Sequence, residues 1–411
     1  NTVTLNTSEL DMISIDYNHH IPELNRQNNT WIKKGLLDRV EPLKVEFLLG
    51  DNEAENTNIF WTPVLAGNTY DRAMLGVNIH NYGIPFNKFN YFITPMYSFG
   101  RKMVSGMSEI SYTTTPRNNL KLSRIGISIK SFKHDTIFKG NDSYYIGIAP
   151  YWSAKIGQRK DKKPYTQNIR VQGIYKKDKY GPTHIEHAGA YVEYTFDYNK
   201  PDHKTGFKVR NEFMTNTNTT DEMARIFIEG NYNFRYLKKN SSRWINLRVF
   251  AGQQYIRNYG DDVSYQYSMS LAGTDGKQDL FLDEYYFGRN DTRGIWSQQR
   301  QENMGGFKST SYYGSTSVGM ATANLYFQLP LPTGLLGLYA DAGIFHNGVN
   351  SQEAYQFGAA IRIKEFFGVY FPIWMSKELN DSFESLRYAE KIRFTLKMNI
   401  FNKPFNLSSI I

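Results

Sequence analysis

The chemistry that residue spacing allows here centres on an arginine and a lone aspartate. Gly288-Arg289-Asn290-Asp291-Thr292-Arg293-Gly294-Ile295 lies in a long polar insertion, and Gly337-Leu338-Tyr339-Ala340-Asp341-Ala342-Gly343 follows two extended segments later. Period-two alternation puts Gly337, Tyr339, Asp341 and Gly343 on one face of that segment and Leu336, Leu338, Ala340 and Ala342 on the other. An arginine on a loop folded against the first face would reach Asp341. Guanidinium and carboxylate pair bidentately, and the bond strengthens where water is scarce. A pair of this kind pins a loop. An exposed loop beside an unrelated aspartate fits the same spacing.

Enzyme chemistry is not signalled. The sequence has no HExxH pair: His19 and His20 are a local doublet, and His184 and His187 of HIEH sit three apart on an alternating segment. Residues three apart on a strand face opposite ways, so those two cannot share a metal. A GxSxG elbow, a GxxxxGK[ST] loop and a GxGxxG followed by a helix are also missing from the sequence. With no Cys there is neither a disulfide scaffold nor a thiolate site. The carboxylates alternate with Lys and Arg, which reads as an ion-pair network and not as an acid–base dyad. No catalytic residue, metal ligand or cofactor is expected in this chain.

The elements that must position Arg293 and Asp341 are strands. From Leu43 onward the pattern is period two. In Lys391–Phe401, Ile392, Phe394, Leu396, Met398 and Ile400 oppose Lys391, Arg393, Thr395, Lys397 and Asn399. In Arg225–Tyr236, Ile226, Ile228, Tyr232, Phe234 and Tyr236 oppose Arg225, Glu229, Asn231 and Arg235. About 16 such segments are predicted near 43–50, 71–81, 88–99, 103–115, 119–133, 143–157, 165–176, 184–199, 204–216, 222–238, 243–256, 317–329, 335–346, 355–364, 366–376 and 390–401. Turn chemistry separates them at Tyr82–Asn87, Thr115–Asn119, Lys139–Asp142, Tyr198–Asp202 and Asn216–Thr220. Residues 256–317 form the one long insertion.

In 411 residues the longest nearly apolar run is Phe366–Met375, about half of what a spanning helix needs. Hydrophobic residues are 40% and aromatics 15%, which suits a strand that is apolar on one face only. The predicted fold is therefore all-β: a transmembrane antiparallel barrel of about 16 strands over 43–411, with loop 256–317 folded into the lumen. Residues 1–42, with Pro22, Pro42 and the polar run Asn25–Thr30, are predicted to be a periplasmic lead-in. The chain begins at Asn1 without Met or a signal peptide, and is expected to be the ordered part of something longer. The net charge of +9 comes from scattered bases and from turn clusters such as Arg159–Lys163 and Lys176–Lys179, so no nucleic-acid partner is expected.

The Arg293-Gly294 tip before the fifth-last strand, followed by an xDxG strand, is similar to the superfamily of outer-membrane assembly factors and two-partner secretion transporters, the barrels labelled bacterial surface antigen. The resemblance implies 16 strands, the Arg-Gly loop between the eleventh and twelfth, and a lumen lock of Arg293 with Asp341, flanked by Gly294 and Gly343. The sequence departs from that pattern at Ile295, where an aromatic is usual and Trp296 follows, and at its end, which runs past Phe405 to Ile411. KVEFLLGDNE, IFWTPVLAGNTYDRAMLGVNIHN and ITPMYSFGRKMVSGMSEISY resemble the C-terminal barrel of Bacteroidota outer-membrane proteins that carry a gluzincin-type (aminopeptidase-like) metallopeptidase domain in front of the barrel. That resemblance implies zinc in a domain ahead of Asn1, not here.

Three functions follow as expectations in the bacterial outer membrane. One is a membrane anchor that docks a periplasmic metallopeptidase-like domain or a partner complex, its lumen plugged. The second is an insertase or translocon that opens a seam between first and last strands, with Leu43, Val45 and Phe47 facing Ile392, Phe394 and Leu396. The third is a passive porin. Expected partners are outer-membrane lipid and lipopolysaccharide and a periplasmic domain or protein. The Arg293–Asp341 lock predicts that Arg293→Ala loosens the 256–317 loop.

Overall fold

The computed structural model describes residues 12–17, 20–21, 30–32, 43–52, 56–84, 87–116, 119–135, 143–157, 164–237, 243–309, 313–363 and 366–397. Expectations that rest on His19, Pro22, residues 25–29, Pro42, turn 139–142, the Arg159–Lys163 cluster and the chain from Met398 through Phe405 to Ile411 lie outside them. Met12–Ser14 (β1) and Thr30–Ile32 (β2) pair antiparallel as a separate ribbon within the lead-in.

One large sheet then forms from β3 (Leu43–Phe47), β4 (Thr57–Asn68), β5 (Arg72–His80), β6 (Phe89–Ser98), β7 (Met103–Thr114), β8 (Leu120–Lys133), β9 (Ser143–Ile156), β10 (Tyr165–Tyr180), β11 (Thr183–Asn199), β12 (His203–Asn216), β13 (Glu222–Leu237) and β14 (Arg243–Asn258). The insertion follows, with α1 (Asp261–Tyr267), a two-residue β15 (Met269–Ser270), a 3-10 turn at Ile295–Gln298 and β16 (Ser315–Thr316). The sheet resumes as β17 (Gly319–Gln328), β18 (Leu336–His346), β19 (Ser351–Ile363) and β20 (Phe367–Met375), then α2 (Lys377–Asp381), α3 (Tyr388–Lys391) and β21 (Arg393–Leu396). Sequential strands pair, and the order returns on itself as a closed barrel.

Alternation decides which face meets what. Leu65, Leu75, Val104, Ile125, Val192, Ile228, Val249 and Ile344 are exposed on the outside. Gln172, Glu212, Arg225, Glu229, Asn324, Asp341 and Gln356 are buried within. A belt of exposed aliphatic side chains on strands 9 to 17 residues long does not persist in water but matches lipid, where only closed barrels and helices satisfy the backbone. The chain is a membrane-spanning barrel of the bacterial outer membrane.

Three strands differ from the expected pattern. β4 falls at Thr57–Asn68, where no strand was expected. The first strand was expected at 43–50. Residues 43–47 do form β3, but it runs parallel to β4, with Leu43 opposite Thr57 and Phe47 opposite Trp61. The antiparallel series starts at β4, which carries no clean polar row: Phe60, Val64 and Ala66 face inward and Ile59, Trp61, Pro63 and Leu65 outward. Pro63 lacks an N–H. It is tolerated because β3 pairs only as far as Trp61, which leaves Pro63 on the edge side of the ladder. The last strand was expected over 390–401. The Glu390 carboxylate instead accepts the Arg387 backbone N–H at 2.9 Å, a capping interaction that favours the helical turn α3, so the strand begins at Arg393 and Ile392 only caps the helix.

Candidate functional site

The predicted ion-pair network lines the lumen, because cross-strand neighbours on an inward face stand within side-chain reach. Lys208 lies opposite Glu229, Arg248 opposite Asn324, Asn324 opposite Asp341 and Asp341 opposite Gln356. Their side chains link in that order: Lys208 to Glu229 at 3.2 Å, Arg248 to Glu229 at 2.8 Å, and Arg248 to Asn324 Oδ1 at 3.0 Å. Asn324 Nδ2 and Gln356 Nε2 then donate to Asp341 at 2.9 and 2.6 Å. A second row joins Glu212 to Arg210 at 2.6 Å and to Arg225 at 2.7 Å.

The insertion plugs this lumen. Arg225 donates to the carbonyls of Tyr267 and Ser268 at 3.1 and 3.4 Å, which ties the start of the plug to β13. Arg210 pairs with Asp283 at 3.2 Å, and Lys130 Nζ donates to the Leu282 carbonyl at 2.7 Å. Inside the plug, Arg289 pairs with Asp279 at 2.9 Å. On the far wall, Arg362 and the Tyr370 hydroxyl hold Glu302 at 3.1 and 2.9 Å. Burial alone would raise the Glu302 pKa, but Arg362 and Lys308 outweigh it and keep the carboxyl ionised.

Asp341 does pin the plug, though not through the predicted partner. Arg293 is exposed in the turn that precedes the 3-10 segment, and Asp341 is bound by Lys308 instead. The Lys308 backbone N–H donates to Asp341 at 3.1 Å, with its ammonium 3.8 Å away and also 3.6 Å from Glu302. The physical reason lies at the other end of the motif. Tyr70 on the β4–β5 turn donates to Asp291 at 2.8 Å and accepts the Asn290 N–H at 3.0 Å, which holds the Arg-Gly tip against the first strands. Gly294 there has φ 78°, a conformation open to glycine. At Gly343 an added Cβ would stand 3.1 Å from Leu271 of the plug. Lys308 and Glu302 were not singled out from the sequence, since no spacing rule marks a lysine in Gly305-Gly306-Phe307-Lys308 as a lumen contact.

At the seam, Leu43, Val45 and Phe47 are all more than half exposed on the outer face, and Phe47 packs edge-on against Trp61. On β21, Phe394 packs against Phe367 and Trp296, while Leu396 is buried and pairs with Phe367 in the ladder. Arg393 turns into the lumen and donates to the carbonyls of Phe307, Ser309 and Gln301 in the plug. The plug also bonds to the backbone of β21 and of the β4–β5 turn. Gln299 forms a parallel bridge with Phe394, Arg300 N–H donates to the Phe394 carbonyl at 3.0 Å, and Thr69 N–H donates to the Phe287 carbonyl at 2.9 Å.

One plug carboxyl titrates in an accessible range. Burial, then Asp279 and Asp283, push Glu284 up to about 7. The seated plug holds a proton that the released loop gives up near 4.5, so the stabilisation is complete below that pH and is lost as pH rises through 7. Between those limits the plug weakens by about 3 kcal/mol. Protease nicking of the plug is expected to be slower at pH 5 than at pH 8, and Glu284→Gln removes the difference; nicking that is equal at both pH values in the parent chain contradicts the assignment.

His184 is exposed beside Glu186 at 3.5 Å, whereas His187 is buried against the Tyr267 ring, so the pair does face opposite ways. Among the described residues no group of three or more His, Asp or Glu side chains is placed to hold a metal. No family model matches the chain, and no curated protein matches it. Among solved structures the chain is similar to CdiB from Acinetobacter baumannii, at 10% identity and a TM-score of 0.35, over 79% of this chain and 60% of that one, so it spans less than two thirds of that protein.

Proposed function

We propose that this chain is an anchor and docking barrel of the outer membrane whose lumen does not conduct. The observation that carries the reading is the seating of the plug on opposite walls at once: Arg225 and Arg210 on one side, Asp341, Arg362 and Arg393 on the other. A pore built to pass solutes has no use for that many buried bonds to its own loop. The cargo of such an anchor is a periplasmic metallopeptidase-like domain or a partner complex, with any zinc held there. Sequencing upstream of Asn1 tests that part: an HExxH motif supports it, and its absence from the encoded protein removes it. Planar-bilayer recording of the purified chain tests the barrel itself. The expected record shows no large stable channel, while excision of residues 271–308 opens one; large steady currents from the parent chain overturn the reading.

The seam favours one second reading, an insertase or translocon. β3 contributes five residues in parallel register, so the first strand of the barrel pairs over a shorter length than the wall strands. Short pairing is what a wall needs if it is to part. Proteoliposomes that carry the chain and accelerate folding of a second, unfolded barrel protein would place this reading ahead of the anchor.

A further inference from the structure

The lumen wall has an apolar sector. Along β4 to β8 the inward positions include Val64, Ala66, Met74, Met96, Met107 and Phe132, where β12 to β14 carry arginines and glutamates. Tyr285 and Phe287 of the plug face this sector across a cavity of about 680 Å³, and Leu48 and Leu49 border it. The lumen face of a membrane barrel is ordinarily polar. Thr62, Asn68, Asn78, His80 and Thr94 interrupt this lining, and Thr94 already donates to Asn78 at 2.7 Å, while most of the remaining wall is apolar. The volume lies within the range of small-molecule pockets, roughly 300–1,000 Å³, and methionine adapts its shape to a flexible apolar guest.

A second cavity, of about 500 Å³, shares Phe92, Met107, Lys130 and Glu284 with the first. Its lining is ionic: six basic side chains, Arg124, Arg170 and Arg210 among them, against four carboxylates. The two spaces together have the form of a tail slot joined to a cationic chamber. We propose that they bind the acyl chain of an acidic amphiphile, with the chain among Met74, Met96 and Met107 and the acidic head in the chamber beyond Lys130. A free fatty acid and one chain of an anionic phospholipid share that chemistry. The site does not depend on whether the barrel anchors a domain or inserts proteins.

The test uses the full chain in nanodiscs with two photoreactive probes, palmitate carrying a terminal diazirine and phosphatidylglycerol carrying the same acyl chain. Illumination is expected to give adducts on Met74, Met96 or Phe132 with at least one probe, and which probe labels identifies the source. Adducts confined to the lipid-facing Leu65, Leu75 and Val104 with both probes overturn the proposal. Competition by unlabelled fatty acids should strengthen about fourfold per added methylene; a flat chain-length series overturns it. Hexadecylamine should compete at least tenfold less well than palmitate, and equal competition overturns the assignment of the head. Ala66→Trp fills the slot and should lower lumen adducts about tenfold while leaving the outer belt labelled. Met96→Gln, isosteric and polar, gives the same reading if Ala66→Trp fails to fold.

Discussion

Asp341→Ala unseats the plug from the far wall, at a cost of about 3–5 kcal/mol, whereas Arg293→Ala leaves it in place. The Asp341 side chain is fully buried and accepts from Lys308 N–H, Asn324 and Gln356. Its removal leaves two amide donors without that acceptor and takes a carboxylate away from Lys308, whose own side chain is buried. Lys308 keeps Glu302 at 3.6 Å as a counter-charge, so the cost lies chiefly in the buried donors left without an acceptor. Arg293 is exposed, and substitutions at such positions stay within about 0.5 kcal/mol. The measurement is the urea midpoint for protease cleavage between residues 300 and 309, read for both variants. Equal midpoints for Asp341→Ala and the parent would remove Asp341 as the anchor. A lowered midpoint for Arg293→Ala would restore the lock that the sequence alone suggested.

Glu212→Ala is expected to destabilise the opposite wall by a similar amount, about 3–5 kcal/mol. Glu212 stands between two guanidiniums, 2.6 Å from Arg210 and 2.7 Å from Arg225, and all three side chains are largely buried. Arg225 lies at one end of this triad and the first plug carbonyls accept from it, so the effect reaches the loop. Arg210 keeps Asp283 and Glu193 as partners, at 3.2 and 3.5 Å. Arg225 keeps only carbonyls among its acceptors here, and should be the group that moves. The readout is the temperature at which the heat-resistant folded band is lost on semi-native gels, together with cleavage near residues 265–270. An unchanged transition would mean that water enters the lumen freely enough to screen the triad. Glu212→Gln should lie between the parent and the alanine variant, since an amide still accepts from one guanidinium.

Most of the barrel wall is legible in the alternation of residues along the chain. Wherever lipid lies on one side and charged lumen on the other, hydropathy alternates, and each residue's face can be read from its neighbours, as in β11, β13, β14 and β18. The inward aspect of Asp341 and Gly343 and the opposed aspects of His184 and His187 come from the same rule. The remainder lies where that rule has no contrast to work on. β4 faces lipid on one side and a mostly apolar cavity on the other, and its inward row mixes Phe60, Val64 and Ala66 with Asn58 and Thr62, so its two rows contrast too little to mark a strand. The partner of Asp341 is set by how a 60-residue loop folds back, and several cations in that loop satisfy the chemistry equally. Lys308 reaches the site because Tyr70 holds the Arg-Gly tip at the opposite side of the lumen. Alternation is a local property of the backbone, fixed within two residues. The destination of a long loop depends on packing summed over the whole interior, which no short window of sequence contains.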